Sequence, residues 1–527
     1  MRLDEYMAHD ATGLAALVAR GEVTQDELLS AALARLEEVQ GLNAIAVSMI
    51  EIGRARARTP LSGPLAGVPF LLKDWGQDYE GQPNTGGSRA RQRWISDRHS
   101  TYTQRCLDAG LVIFGRTTTP EFGLKAVTES VLYGPTRNPW DERRSPGGSS
   151  GGAAALVAAG VVSMAGASDG GGSIRIPAGY CGLFGFRAGR GRVPKGPQAG
   201  EGWDGATSEG VLTRSVRDSA AMLDILCGTD PGAPFIHPKP AQPFADSARV
   251  DPGRLRIGVS CKSPIEAAVS GEAVDAVEIS GRLLESLGHH VEQAEPAIDG
   301  GLLVDCFLAL YVGQAAADVE AARRRCGAGT GDFESDTLFL AKIGGGMSAG
   351  EYVTWRRRWN DLARALADYF ERYDLLLLPT TAGPPPLIHE LDLPEAQMRV
   401  VRVLDRLPVG RLLNASGILR TMVKNAFGRT PFTQLSNLTG TPSMSVPLHW
   451  ARPEPSGPEI PYGVQFVAPI GEEGRLFSLA AQLEQAAPWA DRHPPGRQAA
   501  RRGHGATHGD RLRPYSEECG RHTFSGG

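Results

Sequence analysis

Three short stretches of this 527-residue chain carry residue types that could act on a carbonyl or phosphoryl group. The first is "SPGGSSGG", residues 145–152, in which Ser149 and Ser150 lie between two glycine pairs ahead of an alanine-rich run. A nucleophile elbow would place a buried strand directly before such a serine and a helix directly after it. The helix is there in "GGAAALVAAG", but "NPWDERRSP", residues 138–146, is polar and broken by proline, so the strand is missing. Ser149 and Ser150 are therefore expected in a loop that runs into a helix N-terminus. Capping that helix would account for one serine, but not for four glycines.

The second stretch is "ASDGGGSIRIP", residues 167–177. A strand over 161–167 ends near Asp169. Gly170, Gly171 and Gly172 follow, and Ser173 opens a short helix with Pro177 near its start. Consecutive glycines let backbone N–H groups converge on one point with no Cβ in the way. Such a nest suits a phosphate or the oxyanion of an acyl-transfer intermediate. A phosphate loop would carry G-x-x-x-x-G-K-[ST], which these residues lack. A serine as the last member favours the oxyanion, and a tight turn with a capping serine is the plain structural alternative. The third piece is Lys73, which closes the apolar run "GVPFLLKDW" in a chain with only seven lysines. Burial disfavours an ammonium and lowers its pKa, so a lysine here could serve as general base toward a serine. Snorkelling or pairing with a carboxylate are its ordinary uses.

The elements that must position these residues alternate along the chain. Strand-like runs at 65–74, 110–117, 161–168, 255–260, 374–381, 441–448 and 463–468 are separated by helical patterns, the longest at 272–288 and 472–486. That alternation predicts an α/β sheet covered by helices on both faces. Near the N-terminus, Thr12 precedes a helical pattern through Leu14, Leu17 and Val18, and Thr24 with Glu27 forms a capping box for the next helix. Six prolines in residues 230–253 mark a long surface loop. Residues 491–527 hold one leucine and neither isoleucine nor valine, too little apolar area to offset chain entropy, so a disordered basic tail is expected there. The main domain is then 1–490.

A net charge of −4 makes no electrostatic case for a nucleic-acid partner. The seven cysteines show neither C-x-x-C nor metal-ligand spacing and read as reduced thiols of a cytoplasmic protein. The N-terminus is too acidic for a signal peptide. The longest apolar stretch read from the sequence, Ala153–Ala167, is broken by Gly160 and is no membrane span.

Taken together, "GVPFLLKD", "SPGGSSGG" and "SDGGGSIRIPAGYCGLFGF" resemble the amidase signature family, and the 24-residue separation of Ser149 and Ser173 fits its pattern. "TRNPWD", "LRIGV", "NLTGTPSMSVP" and "PYGVQFVAP" extend the resemblance over roughly residues 5–490. It implies the amidase signature fold, a large mixed β-sheet covered by helices on both faces. It also implies hydrolysis of a carboxamide C–N bond through a covalent acyl-enzyme. In that scheme Ser173 is the nucleophile, Ser149, on a cis peptide, relays the proton, and Lys73 is the general base. Backbone N–H groups of Gly170, Gly171, Gly172 and Ser173 form the oxyanion hole, and Ser150, Asp169 and Arg175 support the loops. The implied partners are a small linear or cyclic amide and water, with no metal or other cofactor and no nucleic acid or membrane; a homodimer is common among such amidases.

Two departures stand out. Gly170 occupies a position often held by Thr or Ile, which should loosen that loop. The stretch usually written G-L-K-P-T reads "GFRAGR", residues 185–190, which weakens the match to the glutaminase subunit of tRNA-dependent amidotransferases, the alternative function. "RGRVPKGP" and "AAQLEQAAPWADRHP" bring the chain nearer to stand-alone bacterial amidases. A binding protein that merely kept the fold would have no need of an intact Lys73, Ser149 and Ser173. The substrate pocket is expected from 124–133, 306–315 and 400–430, with Phe122, Tyr133 and Trp140 as candidate walls and 411–432 as a candidate lid.

Overall fold

The apolar run that ends at Lys73 becomes a strand with every side chain buried. The computed structural model describes residues 1–392, 427–490 and 492–495. Its first sheet has three strands, β1 (Ile45–Ser48), β2 (Pro69–Lys73) and β3 (Val112–Thr117), in the order β1-β3-β2. β2 runs parallel to β3, and β1 antiparallel to it. A two-residue ladder joins β4 (Glu129–Ser130) to β5 (Gly134–Pro135).

The second sheet holds the eight remaining strands. They are β6 (Met164–Asp169), β7 (Phe184–Arg187), β8 (Ser208–Thr213), β9 (Arg256–Val259), β10 (His290–Gln293), β11 (Leu375–Pro379), β12 (Ser443–Ala451) and β13 (Ile460–Val467). Their order is β10-β9-β11-β13-β12-β7-β8-β6. β10, β9 and β11 are mutually parallel, and every pairing from β11 to β6 is antiparallel. The sheet is therefore mixed. All eight residues of β13 are buried, as expected for a strand with both faces covered. The helix Gly271–Ser286 packs on β11, β12 and β13, Val216–Leu226 on β7 and β8, and Arg175–Cys181 on β7, β12 and β13. This is the helix-covered α/β sheet expected from the alternating pattern, and its mixed pairing is what the family resemblance implies.

Two apolar clusters fill residues Met1–Pro494, which make one unit. One surrounds the sheets, with Phe70, Ile113, Leu156, Phe184 and Phe466 among its members. The other gathers around the 27-residue helix Gly300–Cys326, against Ser335–Gly346 and Ala349–Phe370. By length and composition that helix is apolar enough to cross a membrane, and 61% of its apolar window is buried in the fold. Among the described residues it is the one helix of that kind, and in Ala153–Ala167 the helix stops at Ala158.

Two local expectations need correction. The first long helix starts at Ala11 with Asp10 as its N-cap, accepting from the Gly13 N–H at 2.9 Å, so Thr12 lies inside it. The proline-rich 230–253 loop contains one short helical turn, Phe244–Ser247. The capping box of Thr24 and Glu27 is formed. The basic tail lies outside the described residues, apart from its first few positions.

Candidate active site

β2 packs beside β6, and this brings Lys73 to Ser149 and Ser168. Lys73 is 0% exposed, with Nζ 2.8 Å from Ser149 Oγ and 3.1 Å from Ser168 Oγ. Its backbone is held as well: the Lys73 N–H donates to Gln77 Oε1 at 2.8 Å, and Arg116 donates to the Lys73 carbonyl at 3.1 Å. Burial pushes the Lys73 ammonium down to about 7, with Glu209 and Asp169 opposing and Lys195 assisting. A lysine at that pKa is substantially neutral near neutral pH and can take a proton from a hydroxyl.

Ser149 follows a cis Gly148–Ser149 peptide bond, and its carbonyl accepts from Thr119 Oγ1 at 2.8 Å. The surrounding glycines answer a packing need. A Cβ at Gly148 would lie 2.6 Å from the Lys125 carbonyl oxygen, and one at Gly152 would lie 2.5 Å from the Thr118 nitrogen. No strand runs directly into the serines, the nearest before them ending at Pro135, in line with the failed elbow pattern. Ser150 stands at the N-cap of helix Gly151–Ala158 without capping it. Its hydroxyl instead donates to the Ser168 carbonyl and accepts from the Ser168 N–H, both at 3.3 Å, and so ties the serine loop to β6.

The glycine nest is built around Asp169. Its fully buried carboxylate accepts from Gly172 N at 2.8 Å, Ile174 N at 3.1 Å, Asn437 Nδ2 at 2.9 Å, and Arg175 Nε and Nη2 at 2.9 and 2.8 Å. Burial alone would raise the Asp169 pKa, but the Arg175 guanidinium, aided by Arg187 and Asn437, holds it below the usual carboxylate range. Arg175 also donates to Thr433 O, Gln465 Oε1 and Asn437 Oδ1, and Thr433 Oγ1 donates to the Gly171 carbonyl at 2.6 Å.

One expected donor is thereby taken. The Gly172 N–H is committed to Asp169, whereas those of Gly170, Gly171 and Ser173 donate to no group among the described residues. Thr207 and Trp203 pack where a side chain at Gly170 would stand, within 3.0 and 3.4 Å of its missing Cβ. Ser173 is half-buried, with its hydroxyl unbonded among the described residues, and it shares a cavity wall with Ser149 and Ser168. No direct hydrogen bond joins Ser173 to Ser149 here.

The cavity has an empty volume of about 580 Å³ and lies where the second apolar cluster meets the nest. Six aromatic residues line it: Trp75, Phe122, Trp203, Phe307, Tyr311 and Phe427. Phe307 and Phe427 meet edge to face with centroids 5.1 Å apart. Two lysines reach the wall, each already paired. Lys125 lies 2.7 Å from both Glu334 and Asp336, and Lys195 lies 2.5 Å from Glu209. Two buried polar atoms of wall residues, Gln434 Nε2 and Thr430 Oγ1, have no hydrogen-bond partner among the described residues.

Of the three candidate aromatic walls, only Phe122 belongs to this cavity. Trp140 donates to the Cys181 carbonyl and packs on Trp450 beside a smaller cavity, and the Tyr133 hydroxyl bonds to Thr85. The expected pocket segments contribute Leu124 to Ala126, Phe307 with Tyr311, and Phe427 with Thr430. Residues 400–426, and with them most of the candidate lid, lie outside the described residues. Trp75, Ser168, Lys195, Trp203 and Gln434 were not anticipated from the sequence. Lys195 could have been, since lysine is as scarce there as at Lys73.

The family model described as Amidase matches residues 27–477 of the chain. A 6-aminohexanoate-cyclic-dimer hydrolase of Paenarthrobacter ureafaciens is 35% identical over 501 residues, covering 92% of this chain and 96% of the relative. A putative amidase, AmiC, of Mycobacterium leprae is 36% identical over 492 residues, covering 91% and 96%. Among solved structures, a 6-aminohexanoate cyclic dimer hydrolase complexed with substrate superposes with a TM-score of 0.84 at 33% identity, covering 93% of this chain and 99% of the other.

Proposed function

The chain belongs to the amidase family and is an amidohydrolase acting on C–N bonds, and we propose that it works through Ser173, Ser149 and Lys73 by way of a covalent acyl-enzyme. The observation that carries this reading is a buried Lys73 amine 2.8 Å from the Oγ of Ser149, which lines the same cavity as Ser173. Ser173 Oγ attacks the substrate carbonyl carbon while its proton passes to Ser149 and the Ser149 proton to Lys73. The developing oxyanion is held by the unengaged N–H groups of Gly170, Gly171 and Ser173. Collapse breaks the C–N bond, and the proton returns from Lys73 through Ser149 to the leaving amine. Water then attacks the acyl ester by the same relay and frees Ser173.

The substrate is a small amide, linear or cyclic. Six aromatic walls favour an apolar body, and among the described residues both wall lysines are already paired with carboxylates. The glutaminase-subunit alternative is not favoured, because relatives at 35–36% identity carry the names hydrolase and amidase.

The test is amine or ammonia release from a panel of short aliphatic amides, anilides, linear and cyclic aminohexanoate oligomers and glutamine. Ser173→Ala should lose at least about 10³-fold in turnover on every substrate the wild type hydrolyses. Equal turnover in both proteins would remove Ser173 from the mechanism. Reaction of glutamine alone would restore the alternative.

A further inference from the structure

We propose that Glu209 and Lys195 form a positioning pair that sets the proton affinity of Lys73, with Gln77 as the link between them and the β2 strand end. This rests on the reading of Lys73 as the general base. Glu209 lies on β8, next to β6, and is 2% exposed. One carboxylate oxygen accepts from Lys195 Nζ at 2.5 Å, and the other accepts from Gln77 Nε2 at 3.0 Å. The Gln77 oxygen in turn accepts the backbone N–H of Lys73 at 2.8 Å, and its amide also donates to the Ala167 carbonyl at 3.2 Å.

The surrounding chain is shaped to this cluster. Gly166 leaves the room that Gln77 occupies, since a Cβ there would lie 2.2 Å from Gln77 Oε1. Gly202 does the same for the Lys195 stem, with Cδ and Cε 3.0 Å from its missing Cβ. Gly76, in the left-handed region at φ 76°, lets the turn after β2 pass beside the pair: a Cβ there would lie 3.4 Å from Glu209 Oε1 and 3.9 Å from Lys195 Nζ. A buried carboxylate with three shaped neighbours costs desolvation energy that a purely structural element could avoid with an apolar residue.

The charged groups around Lys73 fall into three pairs. Asp74, next in the chain, faces Arg116 of β3, and Asp169, at the end of β6, is locked to Arg175. Both pairs are fully enclosed. The third pair, Glu209 with Lys195, is the one that reaches the cavity, through a Lys195 side chain 17% exposed. The Glu209 anion stabilises protonated Lys73 and the Lys195 cation destabilises it, so the pair holds two opposed influences in balance. Removing one member unbalances them in a direction that is known in advance.

The experiment measures kcat/KM against pH with one neutral amide substrate for wild type, Lys195→Met, Glu209→Gln and the double variant. In the wild type the acidic limb falls as Lys73 gains its proton. Lys195→Met leaves the Glu209 anion uncompensated and should move that limb up by about one pH unit. Glu209→Gln leaves the Lys195 cation uncompensated and should move it down by a similar amount. The double variant should return toward wild type. A limb that stays within about 0.2 of wild type in both single variants, or moves the same way in both, overturns the proposal. Lys73→Met serves as the control for the underlying reading: turnover with an unshifted limb in that variant would mean that Lys73 is not the base.

Discussion

Gly171 offers a quantitative test of the nest. Its backbone lies outside the left-handed region, so alanine would be accepted there without backbone strain, and only the neighbours decide the outcome. An added Cβ would stand 2.7 Å from Phe307 Cζ and 3.2 Å from Cε2. Ordinary contact begins near 3.4 Å, so the ring must retreat by about 0.7 Å or the nest must move by as much. Phe307 is only 4% exposed, with Tyr311 stacked on it at a 6.0 Å centroid distance and Phe427 edge-on at 5.1 Å. Overpacking of this kind costs about 1–3 kcal/mol. Delivered to the alignment of the oxyanion donors, that corresponds to a loss of about 5- to 160-fold in kcat. The assay compares kcat for wild type, Gly171→Ala, Phe307→Leu and the double variant. Leucine has no atom at the Cζ position, so the double variant should recover at least about fivefold over Gly171→Ala, a coupling of about 1 kcal/mol or more. A Gly171→Ala enzyme with wild-type kcat, or a double variant no better than Gly171→Ala, would refute the reasoning.

Two further outcomes concern stability. Asp169→Asn leaves Arg175 as a buried cation without its carboxylate, which costs about 3–5 kcal/mol. At about 1 kcal/mol per degree for a unit of this length, Tm should fall by about 3–5 °C in a thermal scan at pH 7, and an unchanged Tm would contradict the enclosed pairing. Lys73→Met should act in the opposite direction. The folded pKa near 7 lies below the unfolded value of about 10.4, so between these values the folded state binds fewer protons and wild-type stability rises with pH. At pH 7 the buried lysine therefore costs about 4 kcal/mol that methionine avoids, and the Tm advantage of the variant should shrink toward pH 10. An advantage independent of pH would rule out the buried ammonium as its cause.

The parts of the site legible in the sequence were those whose residue type is costly or permissive in a local way. A lysine at the end of an apolar strand, three glycines after another and two serines at a helix start each violate an expectation of ordinary packing, and each is found in the site. The alternation of strands and helices was legible for the same local reason. What stayed hidden depended on contacts between distant segments. Nothing near Gly172 reveals that its N–H is taken by Asp169, because the carboxylate's orientation is set by Arg175 and by Asn437, more than 260 residues away. Trp140 and Tyr133 sit close in sequence to the serine loop, yet both turn to other partners, at the Cys181 carbonyl and at Thr85. Thr12 misled because it lies only two residues beyond Asp10, the residue whose carboxylate accepts from Gly13 as the cap.

The arrangement also explains why so many charges lie inside this fold. A neutral lysine near pH 7 requires burial, and burial deep enough to strip water from Lys73 also strips it from Asp74, Arg116, Asp169, Arg175 and Glu209. Each of those can stay charged only beside an opposite charge or a dense set of hydrogen bonds, which is what Arg175 and Asn437 give Asp169, and what Lys195 and Gln77 give Glu209. The paired charges serve in turn to fix position: Asp169 holds the nest by its backbone, and Glu209 holds the strand end by Gln77. The lysine's lowered pKa and the precision of the loops around it thus come from one cause, the exclusion of water at the place where β2 and β6 end together.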